Sequence, residues 1–124
     1  MTDGTLLIVD DDPDILETMG MVLEACGYRV ISARDGQSAL DLLRGGEKPA
    51  LIVLDLMMPG MDGWTFLSEQ QGDPALAAIP VVVVSGDTDA VHRAANHKVA
   101  AALCKPVDVD TLLAAVQGHR RVNG

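Results

Sequence analysis

The chain has few aromatic residues: one tryptophan, one tyrosine and one phenylalanine in 124. A core of this size must therefore be built from Val, Leu, Ile, Ala and Met. Basic residues are also few, with nine Lys and Arg against eighteen Asp and Glu, for a formal net charge of -9. That balance argues against binding to a phosphate backbone, which needs a basic face. No apolar run is long enough to cross a bilayer, so membrane insertion is not expected. The N-terminal MTDGT lacks the basic start of a signal peptide, and a cytoplasmic location is expected. There are two cysteines, Cys26 and Cys104, without metal-ligand spacing; both are read as buried thiols in a reducing compartment. No glycine-rich loop follows the first apolar run, which disfavours a flavin or dinucleotide site.

Short β-branched runs alternate with helical patterns. The runs are Leu6 to Val9, Arg29 to Ser32, Leu51 to Leu54, Val81 to Val84 and Ala101 to Cys104. The first, third and fourth are apolar throughout, as in strands of a parallel sheet covered on both faces. The second alternates and suits an edge. Five helices are expected between and after the runs. Asp12 and Pro13 form a cap and first-turn pair for the first helix, whose inward face holds Ile15, Met19, Val22, Leu23 and Cys26. Asp35 opens the second helix, Gly63 the third, Thr88 or Asp89 the fourth, and Asp108 or Asp110 the fifth. The fourth has a weak inward face of Val91, Ala94 and Ala95. Five β-α units favour a three-layer α/β sandwich in one domain spanning residues 1–124. No output domain is expected, and residues 119–124 read as a loose tail.

In such a sheet, ligands bind beyond the carboxyl ends of the strands. The residues there are Asp10, Asp11 and Asp12, then Asp55, then Ser85 and Gly86, then Lys105 and Pro106. Clustered carboxylates need a counter-ion or a proton. A hard cation such as Mg²⁺ takes oxygen ligands and keeps several waters. Lysine and serine beside it would meet an anion, and a carboxylate can be a nucleophile that forms an acyl phosphate. Asp55 is the best candidate for that role, alone on a central strand. The set describes a phosphoryl site.

The stretches LLIVDDDPDI, LIVLDLMMPGMDGW, VVVVSGD and LCKP, in this order and spacing, resemble the receiver domain of two-component response regulators over essentially the whole chain. The resemblance implies a flavodoxin-like (βα)5 fold with strand order 2-1-3-4-5, the order the flavodoxin and chemotaxis-receiver folds share. It implies Mg²⁺-dependent transfer of a phosphoryl group from a sensor histidine kinase or a histidine phosphotransfer protein to Asp55. The product is then read by an unidentified downstream protein in a two-component or phosphorelay pathway. By position, Asp10 and Asp11 are the acidic pair for the metal, Asp11 the preferred direct ligand. Met57 offers its backbone carbonyl. Ser85 and Lys105 meet the phosphoryl oxygens, Gly86 keeps the approach open, and the Lys105–Pro106 bond is cis. Such a chain accepts a phosphoryl group and loses it by itself; it is not an enzyme in the turnover sense.

Two departures stand out. Receivers commonly carry an aromatic three positions before the lysine, coupled to the hydroxyl at Ser85; here that position is Ala102. Signal relay is then expected to rest on freer movement of the Ala-rich fourth helix and fifth strand. Val107 and the apolar Met57 flank the route of water to an acyl phosphate and are expected to alter its lifetime. Leu16, read as exposed off the inward face of the first helix, is expected to dock a phosphodonor bundle. Asp62 and Gly63 read as turn and helix-start residues, and His92, His97 and His119 as surface residues. A haloacid-dehalogenase type of phosphohydrolase is the competing class, but it wants an Asp two residues after the nucleophile, where Met57 stands. A receiver-like binder that is never phosphorylated would not need the intact acidic set.

Overall fold

The structure, a computed structural model, describes residues 4–58 and 62–121. Residues 59–61, in the middle of the LDLMMPGMDG motif, lie outside the described residues. The elements run β1 (Thr5–Val9), α1 (Pro13–Ala25), β2 (Arg29–Ala33), α2 (Gly36–Arg44), β3 (Leu51–Asp55), α3 (Gly63–Gly72), β4 (Val81–Ser85), α4 (Thr88–Ala94), β5 (Ala101–Cys104) and α5 (Val109–His119). The five strands form one parallel sheet in the order β2-β1-β3-β4-β5. This is the flavodoxin-like order that the resemblance implies.

Alternation along the three central strands splits the core in two. Leu7, Val9, Ile52, Leu54, Val81 and Val83 face one way, against Ala39, Leu40 and Leu43 of α2, Phe66 and Leu67 of α3, and Ala90 and Ala94 of α4. Leu6, Ile8, Leu51, Val53, Val82 and Val84 face the other way, against Leu23 of α1 and Leu112 and Val116 of α5. Both faces of the central strands are thus covered, which is why these runs show no polar alternation.

Aspartates begin every helix. Asp12 accepts from the Asp14 N–H, Asp35 from Ser38, Asp62 from Thr65, Asp87 from Asp89, and Asp108 from Thr111, at 2.7 to 2.9 Å. The hydrogen bond from the Ser38 backbone holds the Asp35 carboxyl below its ordinary range, and that from Thr111 does the same for Asp108. A large share of the net negative charge thus satisfies free N–H groups at helix starts.

Several expectations need correction. The cap of α4 is Asp87, not Thr88 or Asp89, so its buried face is Ala90 and Ala94 and not Val91 and Ala95. Both cysteines are exposed. Cys26 is the C-cap of α1. Beyond it, Gly27 at φ 98° turns the chain, and Tyr28 takes the inward place. Cys104 ends β5, an edge strand with no neighbour on its outer side. The tail begins later than residue 119: His119 closes α5, and the Arg121 N–H donates to the Ala50 carbonyl at 2.8 Å. Residues 122–124 lie outside the described residues. No helix among the described residues is long and apolar enough to cross a membrane.

Candidate functional site

Four strand ends converge at the carboxyl edge of the sheet. Asp10 follows β1, and its N–H donates to the Ala33 carbonyl at 3.1 Å, so the backbone is still held by β2. Asp55 is the last residue of β3, paired in register with Val84, and Ser85 is the last residue of β4, paired with Cys104. These two residues lie within their strands, not just after them. Lys105 follows β5, and its N–H donates to the Ser85 carbonyl at 2.8 Å. The Lys105–Pro106 peptide bond is cis.

Asp10 and Asp55 are buried, with 3% and 6% of their surface exposed, and Ser85 is fully enclosed. Buried carboxylates require partners. Lys105 Nζ supplies both, 3.2 Å from Asp10 Oδ2 and 3.5 Å from Asp55 Oδ2. The remaining oxygens are held by backbone. Asp10 Oδ1 accepts from the Asp12 N–H at 2.9 Å and Asp55 Oδ1 from the Met57 N–H at 3.1 Å. One lysine against two buried carboxylates leaves the pocket short of positive charge.

The protonation equilibria follow from this. Burial, above all, lifts the Asp55 carboxyl above its ordinary range, and the Asp10 carboxylate adds to the lift. The Met57 N–H and Lys105 oppose it without cancelling it. Burial works to lower the Lys105 amine, but the Asp55 and Asp10 carboxylates outweigh burial and hold it above its ordinary value. The lysine stays charged while the site still favours an additional cation.

Asp11 is exposed but adjoins the pair, and oxygens of Asp10, Asp11 and Asp55 all lie within 4.8 Å of one another. Two buried carboxylates and an exposed one, with oxygens this close together, suit a hard divalent cation that keeps part of its water shell. Mg²⁺ therefore fits these residues. Asp12 points elsewhere, into the α1 cap.

The surroundings of the pocket differ from expectation at three places. Leu16 is not exposed; it is half-buried and packs against the core layer that holds Leu6, Ile8 and Leu23. The apolar groove beside Lys105 is lined instead by Ile15, Met19 and Val22 of α1, with Pro106, Val107 and Leu112. Gly63 is more than a turn residue: a Cβ there would fall 2.7 Å from the Asp55 carbonyl oxygen and 2.5 Å from Leu56 Cα. Only the DG dipeptide hinted at this, and it does not distinguish a turn from a close backbone approach. At Gly86 a Cβ would meet nothing within 4 Å. Ala102, paired in register with Val83, is half-buried beside the Phe66 layer.

Known proteins match this arrangement. The family model for the response regulator receiver domain matches residues 6–117. Protein PilH of Pseudomonas aeruginosa is 33% identical over 113 residues, which cover 90% of this chain and 93% of PilH. The transcriptional regulatory protein GlrR of Escherichia coli is 38% identical over 112 residues, 90% of this chain but 25% of GlrR. The chain thus spans nearly the whole of one curated relative and a quarter of another. Among solved structures, the signal receiver domain of a signal transduction histidine kinase from Syntrophus aciditrophicus has a TM-score of 0.83 at 30% identity, covering 98% of this chain and 96% of that one.

Proposed function

The chain belongs to the response regulator receiver family, and from that premise we propose that Asp55 accepts a phosphoryl group from a phosphohistidine. The observation that carries the reading is the cluster itself: Asp10, Asp11 and Asp55 oxygens within 4.8 Å, with Lys105 Nζ bridging two of them. Receiver domains are signalling domains that take phosphoryl groups from histidine kinases. The acceptor and the metal ligands are inferred from this geometry, and the class of partner from the family.

Asp55 is positioned as the nucleophile. Oδ1 is tied to the Met57 N–H, which fixes the carboxylate plane, and Oδ2 faces the pocket. A carboxylate oxygen attacks phosphorus, the O–P bond forms, and the N–P bond of the phosphohistidine breaks with its electron pair returning to the imidazole ring. Asp10, Asp11, Asp55 and the Met57 carbonyl would hold Mg²⁺, which when bound offsets charge on the phosphoryl oxygens. Lys105 contributes a positive charge already aimed at Asp55, so little reorganisation is needed as the new anion forms. Ser85 accepts from the Asp87 N–H at 3.1 Å, and its own O–H is the donor that turns toward a phosphoryl oxygen. Gly86 leaves the approach over Asp55 open, Pro106 follows Lys105 through the cis bond, and Ala102 places no aromatic ring beside β4. Met57, 57% exposed beside the acceptor, and Val107 border the path of hydrolytic water and so bear on the lifetime of the acyl phosphate.

The donor is a sensor histidine kinase or a histidine phosphotransfer protein in the cytoplasm. The groove lined by Ile15, Met19 and Val22 takes over the docking role first expected of Leu16. The acidic surface supports a downstream protein partner over nucleic acid. Incubation with Mg²⁺ and a small acyl phosphate donor tests the reading by intact mass. A single phosphoryl adduct, absent in Asp55→Asn, is expected. Continuous phosphate release from many substrates would instead indicate a hydrolase, and no adduct a binder that is never phosphorylated.

A further inference from the structure

At the carboxyl edge of the sheet one row of residues crosses three strands. Val9 pairs in register with Ala33 of β2 on one side and with Leu54 of β3 on the other. One residue further on, Asp10 therefore stands between Arg34 and Asp55. The Asp10 N–H donates to the Ala33 carbonyl at 3.1 Å and holds β1 to β2 at that point. Neighbouring strands lie about 4.8 Å apart, so the Arg34 backbone is about 5 Å from that of Asp10 and about 10 Å from that of Asp55. Arg34 is exposed, while Asp10 and Asp55 are buried.

The carboxylates around Arg34 are engaged elsewhere. Asp35 accepts from the Ser38 N–H and Asp12 from the Asp14 N–H, both at helix starts, and Asp10 is held by Lys105 and the Asp12 N–H. Arg29, at the opposite end of β2, pairs with Glu47, and Arg44 of α2 pairs with Glu69. Among the described residues Arg34 makes no ion pair and no side-chain hydrogen bond. Its charge therefore acts on whatever enters the pocket. One lysine for two buried carboxylates attracts a cation and repels an anion, and a phosphodonor is an anion. A positive charge on the rim opposes the cation and favours the anion. At about 10 Å in low-salt buffer, where screening is weak, one such charge changes an encounter about twofold for each unit of charge on the incoming ion.

We propose that Arg34 selects phosphodonors by net charge, favouring dianionic donors over less charged ones, and at the same time loosens the cation site on its row. This rests on Asp55 as phosphoacceptor and adds which donors reach it. Arg34 acts on the approach of the donor and not on the bond-making step. Its two effects have opposite signs. A residue that merely supported the fold would, when lost, impair donor and cation alike.

Purified protein at saturating Mg²⁺ and low ionic strength is mixed with acetyl phosphate, or with phosphoramidate, which carries one negative charge less at neutral pH. Adduct formation is followed by intact mass. Arg34→Ala should slow transfer from acetyl phosphate about fourfold and from phosphoramidate about twofold. Calorimetric titration with MgCl₂ should show the dissociation constant falling about fourfold in the same variant. Both changes should shrink toward none in ~1 M KCl, where the Debye length is about 3 Å. Arg34→Lys, which keeps the charge, should behave as wild type. Lys48→Ala removes an equal exposed charge ahead of β3, at the other edge of the sheet, and should leave both measurements unchanged. Unaltered transfer in Arg34→Ala, equal slowing of both donors, weaker Mg²⁺ binding alongside slower transfer, or the same changes in Lys48→Ala overturns the inference and leaves Asp55 as acceptor. Absence of any adduct in wild type overturns both.

Discussion

The turn after β3 and the turn after β4 begin alike, each with a buried polar residue at the end of a central strand, and they are built in opposite ways. After Asp55 the described chain dives back into the core: Leu56 is fully buried, Met58 nearly so, and Gly63 is locked against the strand it left. After Ser85 every residue from Gly86 to Asp89 is exposed, a Cβ at Gly86 would meet nothing within 4 Å, and the helix that follows has seven residues. In the proposed reading the acceptor carboxylate stands on the packed side, and the hydroxyl that turns to the phosphoryl group stands before the exposed one. Close packing allows little graded displacement, so a switch of this kind needs one fixed and one yielding side.

Alanine at the two glycines tests that contrast most severely. Gly63→Ala places a Cβ into backbone, which cannot move aside as a side chain would, and should destabilise the fold by about 2–4 kcal/mol. Gly86→Ala should stay within about 0.5 kcal/mol. Equal costs in urea denaturation would erase the distinction. Cation binding comes next. With one lysine for two buried carboxylates, Mg²⁺ should stabilise wild type by ~1.4 kcal/mol at tenfold its dissociation constant. It should act far more weakly on Asp11→Asn, and a thermal shift series in MgCl₂ reads the difference.

Loss of a cap is a smaller effect. Asp12→Ala and Asp87→Ala should each cost about 0.5–2 kcal/mol. Only Asp87→Ala, on the loose turn, should also change the amide resonance of Ser85; a matching change in Asp12→Ala would count against the assignment of roles. The pH dependence is the finest test. Because the Asp55 carboxyl is raised, the folded chain binds that proton more tightly than the unfolded chain. Stability from this group is present below the ordinary carboxylate range and is lost as pH rises through its raised value. Asp55→Asn should therefore be more stable than wild type at neutral pH in metal-free buffer, with the gain fading as pH falls through the raised value and gone below 3.8. For Lys105 the sign is the same and the range is alkaline. Its stabilising charge is present at neutral pH and is lost as pH climbs through a value raised above 10.5, a loss that Lys105→Met should not show.

The strands and the residues at their carboxyl ends were legible because buried parallel strands are short apolar runs and the polar residue ending each run is conspicuous; the sheet order came with the resemblance to receiver domains. Asp12, Asp35 and Asp108 were legible as caps for a related reason, since each stands directly before a helical pattern. What escaped the sequence depends on neighbours distant in the chain. Asp55 and Ser85 lie inside their strands because Val84 and Cys104 extend the pairing by one residue. Cys104 looked like core within LC but ends an edge strand. Leu16 looked exposed by helical periodicity, yet packs against the layer formed by β1 and α1. The close approach of Gly63 could be seen only once α3 was placed against the end of β3.

Reductive trapping tests the assignment of Asp55 most directly. Protein treated with Mg²⁺ and acetyl phosphate is reduced with borohydride, which converts an aspartyl phosphate to homoserine, and is then mapped by peptide mass spectrometry. The account predicts homoserine at position 55, with Asp10, Asp11 and Asp12 unchanged. Homoserine at any of positions 10 to 12 with an intact Asp55, or none in a sample whose intact mass shows the adduct, would contradict it.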